Sequence, residues 1–284
     1  MPRPLRLDHP GAWFHVTARG NERQPIFLDD ADRLKFLNLL ASANARFEVV
    51  CHAYCLMGNH YHLVVESVAG RLSRAMQHVN GSFGRYFNER RDRVGHLFQG
   101  RFKASLIERD TYLLEAVRYV ELNPCRAELV SRPEEWAWSS FRPRLLLEGV
   151  PDCLCTESLL EMFGPAGDRR RLYKAFVSAG LSNLMTPSPL ADETILGSGE
   201  FLARQAKRAK EESERRRVSS HQSLVDRPSL SSLFYGCNDR GQRRVAGVAA
   251  CLFYGYTMSE VADYLDVHYT TVSRWVRFAE CDNS

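Results

Sequence analysis

With 284 residues, of which 44% are hydrophobic, the chain is long enough for one substantial core and a small second domain. Its formal net charge of +4 is too small to indicate a partner, and no apolar run has the length that a membrane span needs. Because the eight cysteines are scattered without a CxxC pair and no signal peptide is recognised, we expect a cytoplasmic protein with reduced thiols.

Strand-like and helix-like patterns alternate over the first part of the chain. Strands are predicted at residues 12–19, 47–57, 60–67 and 96–107, and helices at 30–46, 71–89 and 110–122. No glycine-rich phosphate loop of a nucleotide binder interrupts them. The order favours an α+β fold, a ferredoxin-like antiparallel sheet with helices on one face. The opposite face would then be free, and a site there could open onto the last of these helices.

Two histidines in the third predicted strand are the first candidate site. Because successive strand side chains point to opposite faces, His60 and His62 project side by side, and Tyr61, Leu63 and Val65 point the other way. Neighbouring neutral imidazoles form half of a site for a divalent metal. The competing interpretation is that the pair is incidental. Three alternating histidines would suggest a nucleotide-transferring histidine triad, but the third position is Val64, which weakens that interpretation.

The predicted helix 110–122 carries the second candidate. Asp110 is a plausible N-cap, and an apolar stripe formed by Leu113, Val117 and Val120 should face the core. Tyr119 and Asn123 lie four residues apart on an adjoining face, which places a phenol next to a carboxamide. An ordinary amphipathic helix with a half-buried tyrosine explains the same pattern when the histidines are left aside.

Four motifs together resemble a known family. They are residues 13–21 (WFHVTARGN), 54–65 (YCLMGNHYHLVV), 96–103 (HLFQGRFK) and 119–124 (YVELNP). In order and spacing they are similar to single-tyrosine transposases of the His-hydrophobe-His endonuclease superfamily, and most of all to bacterial REP-associated tyrosine transposases. The resemblance covers about residues 1–145. Cys125 stands where a small aliphatic residue is usual, and Tyr61 fills the hydrophobe position.

The resemblance implies a chemistry. Tyr119 would attack a DNA phosphate and form a 5′-phosphotyrosine, a reversible intermediate suited to strand transfer. His60, His62 and, as a third ligand, Asn123 would hold Mg²⁺ or Mn²⁺, although the ligand types alone do not exclude zinc. The DNA would be single-stranded with a hairpin, as in repetitive extragenic palindromes. The enzyme would act as a monomer or homodimer in the bacterial cytoplasm, in association with the nucleoid.

Candidate DNA contacts lie in two places of this first region. Arg19 and Asn21 resemble the nucleic-acid-contacting loop of the family. Basic residues outnumber acidic ones between residues 71 and 109, where aromatic residues are interleaved, as expected for phosphate neutralisation and base stacking. Arg101 and Lys103 are the strongest candidates there, because two residues apart on a strand they share a face.

Residues 257–278 are typical of a helix-turn-helix, preceded by a further helix at 241–253. Thr257 or Ser259 can cap the first helix, and Asp266 takes the place of the usual turn glycine. The second helix would present polar and basic side chains to DNA, among them Thr270 and Arg274. A helical hairpin in an unrelated bundle is the alternative.

The sequence thus predicts a catalytic domain at 1–145, a helical extension with linkers at 146–232 and a helix-turn-helix DNA-binding domain at 233–284. We expect a metal-dependent tyrosine transposase that nicks and joins single-stranded DNA. A transposase-derived regulator that binds DNA without cutting it is the alternative from another class. A replication or conjugation nickase with the same chemistry is disfavoured by the flanking motifs.

Overall fold

The computed structural model describes residues 8–184, 195–208, 211, 228–237, 239–252, 254 and 256–281. The chain divides into two units, Met1–Ala206 and Lys207–Ser284. In the described part of the chain, no helix combines the length and apolar character needed to cross a membrane. Within the predicted extension with linkers at 146–232, residues 185–194, 209–210 and 212–227 lie outside the described residues.

A five-stranded sheet organises the first unit. Its strands are β1 (Ala12–Arg19), β2 (Val49–Leu56), β3 (His60–Ser67), β4 (Lys103–Ile107) and β5 (Ile195–Leu196), in the spatial order β2-β3-β1-β4-β5. The first four pair antiparallel, and β5 adds a short parallel pairing to β4. This order confirms the predicted ferredoxin-like arrangement.

Three long helices cover the two faces of this sheet. The helices are α1 (Asp30–Phe47), α2 (Leu72–Arg91) and α3 (Arg109–Glu121). Helices α1 and α2 pack on one face, together with alternate β1 residues such as Phe14 and Val16. Helix α3 packs on the other face, with Trp13 from β1. The α1/α2 arrangement agrees with the prediction, and the face expected to be free carries the tyrosine helix.

Shorter helices complete the α3 face. They are α4 (Asn123–Arg126), α5 (Phe141–Arg144), α6 (Glu157–Leu160) and α7 (Arg169–Ala179). Tyr173 and Val177 of α7 are fully buried in the same hydrophobic core as α3. Part of the predicted helical extension therefore packs directly on the α3 side of the sheet.

Three predicted details differ from the structure. The strand predicted at 96–107 starts only at Lys103, because Gly95 and Gly100 adopt positive φ angles (92° and 71°) that interrupt an extended chain. Helix α3 begins at Arg109 with Glu108 as its N-cap, so Asp110 is not the cap. Strand β2 begins at Val49, since α1 continues to Phe47.

The C-terminal unit contains four described helices: Leu230–Leu233, Arg240–Leu252, Met258–Leu265 and Tyr269–Cys281. Thr257 caps the third of these in a reciprocal capping box with Glu260. Asp266 ends that helix in the left-handed conformation (φ 53°), as predicted for its turn position. Val261, Ala262 and Val272 are buried between the helices. The functional division at 145 and 232 stays a prediction.

Candidate active site

Strand register places polar side chains on the α3 face of the sheet. In β1 the residues that alternate toward this face are His15, Thr17 and Arg19, whereas Phe14 and Val16 point into the opposite core. In β3, His62 is aligned with Thr17, and His60 with Arg19. In β4, Lys103 is aligned with Thr17, and Ser105 with His15. Three adjacent strands therefore contribute to one polar surface.

A cavity of about 320 Å³ opens over this surface. Its lining consists of strand residues together with two residues from the α3–α4 region: His15, Thr17, Ala18, Arg19, His60, His62, Lys103, Ser105, Tyr119 and Asn123. It therefore combines three imidazoles, two cationic side chains, two hydroxyls, a phenol and a carboxamide. Such a set can bind a negatively charged group and supply a nucleophile.

The two imidazoles of the motif are neighbours, and each is held by a hydrogen bond. The His60 and His62 ring centroids are 5.0 Å apart. His60 Nδ1 lies 2.7 Å from Asn59 Oδ1, an acceptor for the ring proton of the tautomer that carries it on Nδ1. His62 Nδ1 lies 2.9 Å from Nε2 of His15. These outer partners fix the orientation of both rings.

Both imidazoles are neutral near pH 7. Burial lowers the pKa of His60 to about 4, the Arg19 charge adds to this effect, and a hydrogen bond with Asn123 opposes it. Burial, followed by the neighbouring His15, His60 and Arg19, holds the pKa of His62 well below its usual range. A neutral imidazole keeps a lone pair, which is the form that coordinates a metal.

Tyr119 lies at the wall of this cavity, half-buried near the end of α3. Its ring centroid is 5.7 Å from that of His15 and 5.9 Å from that of His62, and both imidazoles are nearly perpendicular to it. Asn123 follows at the start of α4, where it is 8% exposed. The helix ends between these two residues, yet both side chains line the same cavity.

The donor set fits a divalent metal. Two neutral imidazoles with fixed rings resemble metal-ligating histidines, whose second nitrogen is normally hydrogen-bonded. The Asn123 amide oxygen is a further donor that suits a hard cation. Within the described ranges, no group of three or more histidine, cysteine, aspartate or glutamate side chains is placed to hold a metal. A complete coordination shell here would therefore need amide, water or phosphate oxygens.

A buried carboxylate holds α3 from the side away from the cavity. Glu121 is fully buried and accepts hydrogen bonds from Ser140 Oγ (2.6 Å) and Tyr173 Oη (2.5 Å). Its Oε1 is 3.6 Å from Nε of the fully buried Arg144. Burial raises the pKa of Glu121, while Arg144 and the two hydroxyls act in the opposite direction. The network joins the end of α3 to α5 and α7.

Six of the predicted site residues meet in the cavity: Arg19, His60, His62, Lys103, Tyr119 and Asn123. Asn21 and Arg101 are exposed and do not line it. Arg101 precedes β4, so the argument that it shares a strand face with Lys103 is wrong. Sequence reasoning missed His15, Thr17 and Ser105. The first two could have been found, since they alternate with Arg19 along β1.

The interleaved aromatic residues are mostly core. Phe83, Phe87, Phe98 and Phe102 are buried, so stacking on bases is not open to them. Two of the basic residues in the same region, Arg90 and Arg91, bind Asp29 and Asp32 at the start of α1. These charges connect α2 to α1.

In the C-terminal unit, the two residues predicted to contact DNA are accessible. Thr270 and Arg274 are exposed on the helix Tyr269–Cys281, while Val272 and Val276 face the core. The Thr270 hydroxyl lies 2.8 Å from His268 Nδ1. The helix thus presents a polar face that begins at its first turn.

A family model described as "Transposase IS200 like" matches residues 9–123. Among solved structures, one described as "Structure of the REP associates tyrosine transposase bound to a REP hairpin" is similar over 55% of this chain and 92% of that chain, with 16% identity and a TM-score of 0.44. No curated protein matches the chain. The matched residues of the family model include the histidine pair and Tyr119, and they end at Asn123.

Proposed function

We infer, from the match of residues 9–123 to the IS200-like transposase family model, that the protein cuts and rejoins single-stranded DNA through a covalent bond to Tyr119. The observation that carries this proposal is the meeting of Tyr119, His60 and His62 in one cavity, although the chain separates the tyrosine from the histidines by more than one helix and strand. An accessible phenol beside two neutral imidazoles and two cations has the parts that phosphoryl transfer needs.

In the proposed reaction the Tyr119 oxygen attacks phosphorus and the bond from phosphorus to the 3′-oxygen breaks. The products are a 5′-phosphotyrosine and a free 3′-hydroxyl, which has gained the proton that the phenol lost. Attack of a 3′-hydroxyl on the phosphotyrosine reverses the step and joins strands. Arg19 and Lys103 would bind the phosphate charge, and Thr17 and Ser105 would offer hydroxyl donors to its oxygens.

His60, His62 and Asn123 would hold a Mg²⁺ or Mn²⁺ ion, which when bound supplies Lewis-acid assistance at a non-bridging phosphate oxygen. The neutral state of the imidazoles supports this assignment. His15 and Asn59 would keep the two rings in place through their hydrogen bonds.

The proposed substrate is a single strand of DNA that carries a hairpin. The resemblance of the four sequence motifs to REP-associated tyrosine transposases supports such a substrate, as in repetitive extragenic palindromes. A bacterial cytoplasm, with the DNA of the nucleoid as target, follows from that assignment.

We assign DNA reading in the C-terminal unit to a helix-turn-helix formed by Met258–Leu265 and Tyr269–Cys281. Thr270 and Arg274 would contact the DNA, because they stand on the exposed face of the second helix. Replacing both by alanine should weaken DNA binding and leave adduct formation per bound molecule unchanged. An unchanged dissociation constant in gel-shift titrations would remove this role.

The nucleophile is tested with Tyr119→Phe, which deletes only the reactive oxygen. The substrate is a library of 3′-end-labelled single strands, each carrying a hairpin, since the covalent product keeps the DNA on the 3′ side of the cut. We expect labelled protein adducts on denaturing gels with the wild type and none with the variant, while hairpin binding is retained. Tyr112→Phe, on the same helix outside the cavity, is the matched control.

The same assay separates the alternative function. A wild-type protein that binds the hairpins but forms no adduct with any metal would be a DNA-binding regulator, and adducts that persist in Tyr119→Phe would overturn the nucleophile.

For the metal, His60→Ala with His62→Ala should abolish cleavage and Mn²⁺ binding in calorimetry. His78→Ala, on α2, is the control. Full wild-type activity in EDTA would contradict the metal role.

A further inference from the structure

Arg126 lies against the ring of Tyr119. It belongs to α4, and its guanidinium carbon is 5.3 Å from the centroid of the tyrosine ring. A guanidinium at this distance from an aromatic ring is attracted by the electron-rich face. The side chain of Arg126 is half-buried and does not line the cavity. The cation therefore contacts Tyr119 from outside the space where a phosphate would bind.

The guanidinium is itself held in place. Arg126 Nη1 donates to the backbone carbonyl of Leu184, 2.6 Å away. The chain just before Leu184 lies close to α3, because a Cβ atom on Gly180 would come within 2.7 Å of Leu122 Cδ1. The absence of a side chain at position 180 therefore permits the close approach of this segment.

Local chain geometry brings Arg126 back to Tyr119. Helix α3 ends at Glu121, Pro124 stands in the first turn of α4, and the Arg126 amide donates to the Leu122 carbonyl. The helical path continues after a small interruption. Residues seven apart on such a path lie close to the same face, which places Arg126 two turns beyond Tyr119.

The ring of Tyr119 thus has three polar neighbours: the imidazoles of His15 and His62, both nearly perpendicular to it, and the guanidinium of Arg126. Loss of the guanidinium would remove one of these contacts, and we expect the half-buried ring then to populate other side-chain rotamers more often. Attack on phosphorus needs the oxygen in one position, so the populated fraction of that rotamer enters the rate directly.

We propose that Arg126 is a positioning residue that holds Tyr119 in its attacking orientation. This inference rests on the proposed function of Tyr119 as nucleophile. Arg126 acts through the tyrosine ring and not on the DNA. Its loss should therefore lower the rate of adduct formation and leave DNA affinity as it is.

Arg118 provides a matched control within the same region. It is half-buried on α3, and its guanidinium carbon is 4.7 Å from the centroid of the Phe176 ring. Arg118 makes the same kind of contact as Arg126, but with a ring that has no part in the reaction. Arg118→Gln therefore reports what the loss of a cation–ring contact does to the fold alone.

The first measurement is the single-turnover rate of adduct formation at saturating hairpin DNA, with the hairpin dissociation constant determined separately. We expect Arg126→Gln to lower the rate roughly tenfold or more, because orientation of a nucleophile has effects of this size, and to change affinity by less than about twofold. Arg118→Gln should leave both quantities within about twofold. Arg126→Lys, which keeps the charge, should restore part of the rate.

Two results overturn the proposal: a wild-type rate in Arg126→Gln, or an equal loss of rate in Arg118→Gln. Where Arg126→Gln fails to fold, Arg126→Met takes its place, because it keeps the length and apolar contacts of the side chain. A folded Arg126→Met with wild-type rate contradicts the role, and a folded one with a reduced rate and normal affinity supports it.

A second measurement does not depend on catalysis. With 3-fluorotyrosine placed only at position 119, the ¹⁹F resonance should shift and broaden in Arg126→Gln and stay unchanged in Arg118→Gln. An unchanged resonance in both shows that Arg126 does not hold the ring and overturns the inference. If Tyr119→Phe still forms adducts while this resonance responds to Arg126, the proposed nucleophile is wrong and the ring contact is real. The two failures are therefore distinguishable.

Discussion

The two faces of the sheet differ in what they bury. On the α1/α2 face, aromatic rings pack against one another: Phe36 has ring centroids 5.5 Å from Phe27, 4.7 Å from Tyr61 and 5.4 Å from Phe83. On the α3 face, buried polar groups lie among the apolar ones, among them His15, His62, Glu121 and Arg144. The same strands supply both faces, one residue apart.

Because of this difference, we expect the two faces to contribute differently to folding stability and to activity. Desolvated imidazoles and carboxylates are costly unless each finds a partner. On the α3 face His15 and His62 are hydrogen-bonded to each other between β1 and β3, and Glu121 accepts hydrogen bonds from Ser140 and Tyr173. The α1/α2 face is mostly apolar, and its fully buried carboxylate, Asp32, is paired with Arg90 and Arg91 of α2. Packing on that face therefore serves stability. We therefore expect substitutions on the α1/α2 face to change only the unfolding free energy, and those on the α3 face to change activity or the pH dependence of stability as well.

The largest effect on stability should come from Phe36→Ala. The side chain is fully buried, and removing a buried phenyl ring from such a site costs about 3–5 kcal/mol of unfolding free energy. The rate of adduct formation per folded molecule should not change. Chemical denaturation measures the first quantity, and the adduct assay corrected for the folded fraction measures the second.

Leu34→Ala on the same helix is the control, since Leu34 is 54% exposed and its loss should cost no more than about 0.5 kcal/mol. If Phe36→Ala lowered the rate per folded molecule as strongly as it lowered stability, the proposed separation between the two faces would not hold.

Much of this division could be predicted from sequence. The alternation in residues 60–65 correctly assigned His60 and His62 to one face and Tyr61, Leu63 and Val65 to the other. The helix stripe correctly predicted Leu113, Val117 and Val120 as core. Period-two and helical periodicity are local properties, so a single sequence displays them.

Other features depend on chain segments that meet only after folding. In the sequence Glu121 looks like an exposed acid near a helix end. Its partners come later in the chain, Ser140 and Arg144 at the two ends of α5 and Tyr173 on α7. The extended pattern of 96–102 suggested a strand, but it did not indicate the turn at Gly100. Long-range pairing decides the first case, and the backbone conformation of the glycines decides the second.

On the α3 face, Tyr173→Phe should cost less stability than Phe36→Ala does on the α1/α2 face. The change removes one hydroxyl donor from the buried Glu121 carboxylate, and an orphaned buried acceptor costs about 1–3 kcal/mol. Because the network holds the end of α3, adduct formation should also slow. Tyr235→Phe, at a side chain 91% exposed, should change neither quantity. Urea unfolding measures the stability of each variant, and the adduct assay measures its rate. Equal stability and equal rate in Tyr173→Phe and Tyr235→Phe would show that the network does not hold α3.

The smallest effect concerns pH and His52, a buried β2 residue whose ring stacks on Trp13 with centroids 4.3 Å apart. Burial, with the charges of Arg144 and Arg109, lowers the pKa of His52 from 6.5 to about 3. Above the unfolded pKa both states are neutral and stability is unaffected. Below it the unfolded chain binds a proton that the folded chain does not, so stability falls as the pH falls toward 3. Between about pH 7 and about pH 5.5 this loss amounts to about 1 kcal/mol.

His52→Asn removes that proton site, while His60 and His62, whose pKa values are shifted in the same direction, remain in both proteins. The wild type should therefore lose about 1 kcal/mol more than the variant over this pH range in urea titrations. Parallel curves for the two proteins would mean that His52 takes up its proton as readily in the folded chain as in the unfolded one. The α3 face would then be more open to water at β2 than at the cavity, and its buried polar groups would not behave as one desolvated layer.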